Sequence, residues 1–373
     1  MAVSEAIQTI SKLTPLADVL LTVDAEVKPV TPRTIEISAG TGRALVADAL
    51  APSRPASALA LQDGWALSSD ETLDAGGHAP SPLVRTPSRI EAGQALPAGT
   101  DSVAPIDAVK ITDGRAEALL AINPGNGVLA PGTDTDSATP LRRAGERLRN
   151  VDLAAFSAAG IARVTVREPR IRVLPVRGSG IISAAARFVA TDIERLGGAA
   201  RLDDSGRGLD VAMAAESADA IVAIGGTGSG RDDSSVQTLA REGRLTVHGV
   251  GLTPGETAAF GFVGARPVLL LPGRLDAALS VWLIVGRRML DRLAAVKNGE
   301  SEPREALILA RKVSSTVGLV EVVPVRRNGT EVEPMAIKYL SLSNLTHSAG
   351  WILVPADSEG YSAGTSVQVR PWP

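Results

Sequence analysis

Cysteine is absent from the 373 residues. This excludes disulfides, thiolate metal sites and cysteine nucleophiles, and it leaves the redox compartment open. Histidine is almost as scarce. His78, His248 and His347 stand far apart, and their spacing fits no zinc motif. Aromatic residues make up 3% of the chain, so Ala, Val, Leu and Ile must fill the interior. Charge of one sign is lacking too. A net charge of −3 points to neither nucleic acid nor an acidic membrane surface. No apolar run approaches the length of a membrane span, and "MAVSEAIQTISKL" has no signal-peptide pattern. The expectation is a soluble, cytoplasmic protein with no nucleic-acid or membrane partner.

The length present is enough for two or more domains. Val3, Ile7, Ile10 and Leu13 have helical spacing, so a short amphipathic helix is predicted over 3–13. From about 25 to 135, short apolar runs such as "TIEIS" and "DSVAPIDAVKI" alternate with Pro, Gly and Thr, which reads as β-structure with many turns. Residues 141–166 return to a helical pattern centred on "VDLAAFSAAG". Residues 169–297 alternate apolar strands with helices, the pattern of a parallel sheet covered on both faces. Its predicted strands include "LTVHGVGL", and it closes on a long helix over 275–295. "KNGESEPRE" (297–305) reads as a polar linker, and 306–373 as β-structure again.

One stretch carries chemistry. In "ADAIVAIGGTGSGRDDSSVQTL" (218–239) a strand ends in a glycine turn, two carboxylates and a helix start. In a parallel sheet, ligands bind outside the C-terminal ends of the strands. Gly225, Gly226 and Gly228, with Thr227, let backbone N–H groups approach an anion. The helix beginning near Ser234 adds partial positive charge. The spacing fits neither a P-loop nor a dinucleotide fingerprint. Asp232 and Asp233 are hard oxygen ligands suited to Mg²⁺. A plain strand-to-helix turn with a capping Asp explains the same residues, so both readings stand on the turn alone. Asp203 and Asp204 form a second acidic turn on the same sheet edge. Solvated loop acids are the simpler account of Asp203.

Several segments in register resemble the MoeA-type molybdopterin molybdenumtransferases, whose eukaryotic relative is the E domain of gephyrin. "ALQDGWALSSD" (60–70) is similar to the family's SAMDGYAV segment. "IEAGQALPAGTDSVAPID" (90–107) resembles its I-x-x-G-x-x-LP-x-G-x-D-x-V block, and "GNGVLAPGTDTD" (125–136) its GENVR-x-x-GED segment. "AIGGTGSGRDD" (223–233) stands where the family has SGGVSVGDYD, with a GGTG spelling closer to MogA-type adenylyltransferases. "LLPGRLDAALS" (270–280) resembles LPGNPVSA.

The resemblance implies a multidomain α/β plus β protein. Its parts would be an N-terminal helical and β linker module (1–45 with 136–168), a β-rich domain (46–135), a three-layer molybdopterin-binding domain (169–299) and a C-terminal β barrel (304–373). It implies that molybdate is inserted into adenylylated molybdopterin with release of AMP, in a Mg²⁺-dependent step. The site would be shared between the chains of an elongated homodimer. A MogA-type adenylyltransferase or a molybdoenzyme would be a partner. Asp63, Asp134 and Asp233 match the family's catalytic acids, with Asp63, Asp233 and Asp204 as candidate metal ligands. The glycine turn, Ser234, Pro254 and Gly255 would hold the pterin.

Three departures bear on the chemistry. The family's TGDEL is here "RGSGI", with Gly180 in place of its acid. KPGKP is here "TPGET", with Thr253 and Glu256 in place of two lysines. LPGNPVS is here "LPGRLDA", with Leu275 and Ala277 in place of polar groups and Arg274 added. A carboxylate repels an oxyanion, so Arg274, with Arg177 and Arg231, is the candidate replacement cation. An alternative of another class follows: a cofactor-binding carrier or regulatory protein with weakened catalysis.

Overall fold

The computed structural model describes residues 8–176, 180–206, 208–215, 217–297, 303–335 and 339–373. Val3, Ile7, Arg177 and most of the linker expected at 297–305 lie outside the described residues. Two compact units are present. One contains residues 1–47, 144–153 and 163–373, and the other 48–143 and 154–162.

The first unit is built around a six-stranded sheet. Its order is Ala199–Leu202, Arg170–Pro175, Ala220–Ile224, Arg266–Leu271, Ala259–Val263, Arg244–His248. The first four strands are parallel, while Ala259–Val263 runs antiparallel to both of its neighbours. The expected parallel sheet therefore carries an antiparallel edge, and that edge begins with a strand, "AFGFV", not foreseen from the sequence.

Both faces are buried, with strict alternation. Val222, Ile224, Leu269 and Leu271 face one apolar cluster. Ile221, Ala223, Val268 and Leu270 face the other. Helices Gly180–Arg195 and Leu275–Val281 contribute to the first cluster, Leu209–Ala214 and Ser235–Glu242 to the second. This is a three-layer α/β arrangement. Burying each such aliphatic side chain contributes about 1.5–3 kcal/mol.

Most of the helix expected over 3–13 lies outside the described residues. Gln8 is helical, Ile10 and Leu13 lie in irregular chain, and a further helix, Leu16–Glu26, follows with Leu16, Val19 and Val23 on its buried face. The expected single strand "LTVHGVGL" is two strands, divided at Gly249 (φ +92°). Arg244–His248 closes the α/β sheet. Val250–Thr253 leaves it and pairs with Thr14–Pro15 and with Val320–Asn328. Only glycine adopts that φ readily, so the residue that breaks the strand also sends it into another sheet.

The C-terminal β-rich part forms a closed circuit. Val320–Asn328 pairs with Glu331–Pro334, which pairs with Glu305–Leu309 and so with Ser366–Val369. Gly350–Val354 returns to Val320–Asn328. Trp351 and Arg370 close the ring by exchanging two backbone hydrogen bonds of 2.9 and 2.8 Å.

The second unit is a set of short antiparallel sheets. Gly64–Leu67 pairs with both Ser88–Ile90 and Ser102–Ala104. Val109–Thr112 and Arg115–Ala118 form a hairpin whose two-residue loop is Asp113-Gly114, the pair that a tight primed turn favours.

Candidate ligand-binding site

The glycine turn follows Ala220–Ile224 at the C-terminal edge of the parallel strands. Gly225 has φ +101° and Gly226 φ +71°. A Cβ on Gly226 would lie 2.4 Å from Ser235 Oγ. The left-handed backbone turns the carbonyls toward the helix that follows. Ser235 Oγ donates to Gly225 O at 2.8 Å, and Ser235 N–H donates to Gly226 O at 3.0 Å. Gln8 Nε2 donates to Gly226 O at 3.1 Å and to Gly228 O at 2.7 Å.

Peptide planarity then fixes the donors. In a trans peptide the N–H opposes the preceding C=O, and the cis bonds found are Arg54-Pro55 and Thr253-Pro254. The N–H groups of Gly226, Thr227 and Ser229 therefore point away from Ser235 and Gln8, and none has a hydrogen-bond partner among the described residues. Three donors beside the start of an eight-residue helix suit a phosphate or the acceptor edge of a heterocycle.

Two further loops reach this turn. Thr227 Oγ1 lies 3.0 Å from Thr257 Oγ1, which brings in the segment containing Thr253, Pro254, Gly255 and Glu256. A Cβ on Gly273 would lie 3.6 Å from Gly225 Cα, which brings in the segment leading to Arg274. Asp233 Oδ2 accepts the Gly230 N–H at 3.3 Å and sits against Gly228. Ser234 is exposed at the N-cap position and its hydroxyl makes no cap bond; buried Ser235 ties the turn instead.

The corner around Thr253 and Glu256 is acidic. A narrow pocket is lined by Thr253, Pro254, Asp276, Ser280, Glu321 and Tyr339. Glu256 accepts the Gly255 N–H at 3.0 Å. Burial pushes the Glu321 carboxyl above its ordinary range, and the charge of Glu256 adds to that. Asp276 is 5% exposed and accepts the N–H groups of Ala277 and Leu340. Its bonds to Arg274 raise the arginine, with the field of Glu256 contributing. Asp276 and Glu321 were not singled out in the sequence. Glu321 meets this loop through strand pairing, Thr253 against Glu321, at a sequence separation of 68. No local pattern signals such a pairing.

The remaining candidates belong to other elements. Asp204 follows Ala199–Leu202, with Arg170–Pro175 between that strand and Ala220–Ile224. Its neighbour Asp203 pairs with Arg172 at 2.9 Å. Its bond from Ser205, ahead of Arg172, holds its carboxyl low. Asp203 is thus a structural acid.

Asp63 and Asp134 belong to the second unit. Asp63 accepts the Ala92 N–H at 2.9 Å. The antiparallel pair Leu59–Ala60 with Val128–Leu129 sends Asp63 and Asp134 off opposite ends of one ladder. Among the described residues, no three His, Asp or Glu side chains of one chain converge to hold a metal.

Residues 1–160 match the family described as "MoeA N-terminal region (domain I and II)", and residues 196–292 match "Probable molybdopterin binding domain". The chain belongs to the MoeA-type family. Between them the two matches cover more than half of it. A molybdopterin biosynthesis protein of Methanocaldococcus jannaschii is 24% identical over 348 residues, covering 83% of this chain and 84% of that one.

Two solved MoeA structures from Pyrococcus horikoshii share the fold. One has a TM-score of 0.78 at 19% identity, covering 97% of this chain and all of that one. The other has 0.74 at 23%, covering 96% and 99%. A molybdenum cofactor biosynthesis protein of Pyrococcus furiosus aligns with a TM-score of 0.58 at 18% identity, covering 97% and 100%. This MoeA-type chain is thus a molybdenum cofactor biosynthesis protein, and its glycine turn lies within the molybdopterin-binding domain. No described helix is long and apolar enough to cross a membrane.

Proposed function

We propose that this MoeA-type chain binds adenylylated molybdopterin at the glycine turn and inserts molybdenum from molybdate, with release of AMP. The observation that carries the reading is the row of N–H donors at Gly226, Thr227 and Ser229, set at the start of helix Ser235–Glu242 within the molybdopterin-binding domain. In this reading the turn holds the phosphoanhydride, while Thr227, Pro254 and Gly255 border the ligand. Asp233 stands beside the turn. Asp63 and Asp134 act from the partner chain of a homodimer, so that the acids assemble only across two chains. A divalent metal such as Mg²⁺ would neutralise phosphate charge; no step here depends on it.

A second reading has an observation of its own. Glu256, Glu321 and Asp276 surround the corner where an oxyanion would sit. A chain built this way would bind molybdopterin and pass it to a molybdoenzyme without inserting the metal. Anaerobic calorimetry with adenylylated molybdopterin, followed by AMP release with and without molybdate and Mg²⁺, separates the two. Molybdate-dependent AMP release supports insertion. Tight binding without release supports the carrier. No binding would reject both.

A further inference from the structure

Gln8 is the point at which the N-terminal segment meets the glycine turn. Its side chain is buried, with the residue 6% exposed. Nε2 reaches both Gly226 O and Gly228 O. Chemistry fixes the orientation of the amide: both partners are acceptors, so only the NH₂ end can face them. Oε1 is then buried with no partner among the described residues. Folded chains avoid an unsatisfied buried acceptor unless the arrangement serves another end.

That end is legible in the turn. Ser235 controls the carbonyls of Gly225 and Gly226 but makes no bond to that of Gly228. The bond to Gly228 O, at 2.7 Å, is the shorter of the two from Gln8. The 228–229 peptide therefore takes its direction from Gln8. If that carbonyl swung outward, the Ser229 N–H would turn inward, and a carbonyl oxygen would face any bound anion.

We propose that Gln8 is a positioning residue for the ligand site, holding the 226–229 backbone with carbonyls inward and N–H groups aligned on the opposite side. This rests on the reading of the turn as the molybdopterin adenylate site. The N-terminal segment is then part of the binding site, although 218 positions separate Gln8 from Gly226. Docking of Gln8 and binding of ligand favour each other, because both select the same turn conformation.

Three substitutions test this in the full-length protein. Gln8→Glu keeps the shape but removes both donors and sets a carboxylate against two carbonyls. Gln8→Ala removes the group. Gln8→Lys keeps N–H donors within reach. In anaerobic calorimetry with adenylylated molybdopterin, Glu and Ala should weaken binding about tenfold or more, the loss of one or two hydrogen bonds. Lys should stay within about threefold of wild type. Amide hydrogen exchange of the ligand-free protein gives an independent readout: peptides spanning 224–235 should exchange faster in Glu and Ala and at the wild-type rate in Lys. Unchanged binding in Gln8→Glu, or identical exchange in all four proteins, overturns the proposal. If wild type does not bind while exchange follows the stated order, the molybdopterin reading falls and the hold of Gln8 on the turn stands.

Discussion

Arg274 grips Asp276 with a two-pronged ion pair, Nε to Oδ1 at 3.1 Å and Nη2 to Oδ2 at 2.7 Å. Its guanidinium also lies over the Tyr339 ring, 5.4 Å from the centroid. The cation expected to replace the missing lysines is thus committed to an acid introduced two residues later. Arg274 remains 52% exposed on its side chain, so an oxyanion could still approach it.

Arg274→Ala leaves the Asp276 carboxylate buried without its partner. Removing one member of a buried pair destabilises by about 3–5 kcal/mol. With Arg274 half in solvent, roughly 1–2 kcal/mol is the fitting expectation. Thermal unfolding of Arg274→Ala, Asp276→Asn and the double variant measures it. The double variant should recover most of the lost stability. If it also recovers molybdate-dependent AMP release, Arg274 serves Asp276 alone. If stability returns without turnover, Arg274 contacts the oxyanion.

The glycine turn constrains its own mutagenesis. Gly226→Val would seem a direct way to block the ligand, but its Cβ would strike Ser235 Oγ, and φ is +71°. Such a variant rearranges the turn whether or not a ligand binds there. Gly228→Ala is cleaner, because its Cβ would meet only the Asp233 carboxylate, at 2.7 Å. That carboxylate must shift. If Asp233 acts on the phosphoanhydride, AMP release should fall at least tenfold while pterin affinity changes little. Equal losses in both would reassign Asp233 to binding.

Legibility followed sequence distance. The unbroken apolar run Ile221, Val222, Ala223 and Ile224 announced a strand buried on both faces, and "GGTG" announced its turn, because these signals lie within a few residues. Gln8, Asp276 and Glu321 were silent. Gln8 and Glu321 act through partners brought close by docking or strand pairing, Asp276 also accepts the distant Leu340 N–H, and a buried Glu on a C-terminal strand looks like any other until its neighbours are known. The antiparallel Ala259–Val263 escaped for another reason: "AFGFV" has a glycine at its centre, and Arg244 O lies 2.2 Å from where a Cβ on Gly261 would be. Close strand approach, not a loop, selects that glycine.

The core offers a test independent of ligand. Asp192 Oδ2 accepts Trp282 Nε1 at 2.8 Å and Arg287 Nε at 2.7 Å, and Oδ1 accepts Arg287 Nη2 at 2.9 Å. Burial alone would raise this carboxyl, but Arg287, Trp282 and Arg195 together hold it below its ordinary range. A depressed carboxyl stabilises the fold above its unfolded pKa, about 3.9. That contribution is lost as the pH falls below about 4 toward the folded value. Asp192→Asn should therefore lower stability near neutral pH by about 3–5 kcal/mol. It should also flatten the decline in Tm between about pH 5 and 3. A wild-type slope in the variant would assign the acid sensitivity to other groups.

The shared-site reading has a stoichiometric signature. Asp63 and Asp233 lie in different units of the chain, and the reading draws them from different chains of a dimer. Asp63→Asn and Asp233→Asn should each abolish AMP release. Unfolded together and refolded as a mixture, half of the dimers are hybrids, each with one intact site, so about a quarter of wild-type activity returns. No recovery, or a monomer in sedimentation at micromolar concentration, would reject the shared site.

The acidic corner decides whether oxyanion binding survives. Glu256 is half-buried, its carboxylate accepts the Gly255 N–H, and its charge helps keep the Glu321 carboxyl raised. An incoming molybdate would meet both acids. Glu256→Lys reverses the charge at one position and draws Glu321 toward ionisation as its partner. With Thr253→Lys in addition, the loop regains both cations of the family pattern. A charge-assisted hydrogen bond contributes about 1.5–3 kcal/mol, so molybdate affinity should rise roughly tenfold to a hundredfold. Calorimetry with molybdate alone reads the gain, without the unstable pterin. If wild type already inserts molybdenum through Arg274, the double lysine variant should raise affinity but leave the dependence on Arg274 intact. If wild type is a carrier, molybdate binding should appear only in the variant. No gain from either lysine would mean that Asp276 and Glu321, not Glu256, set the charge of the pocket, and Glu321→Gln becomes the substitution that opens it.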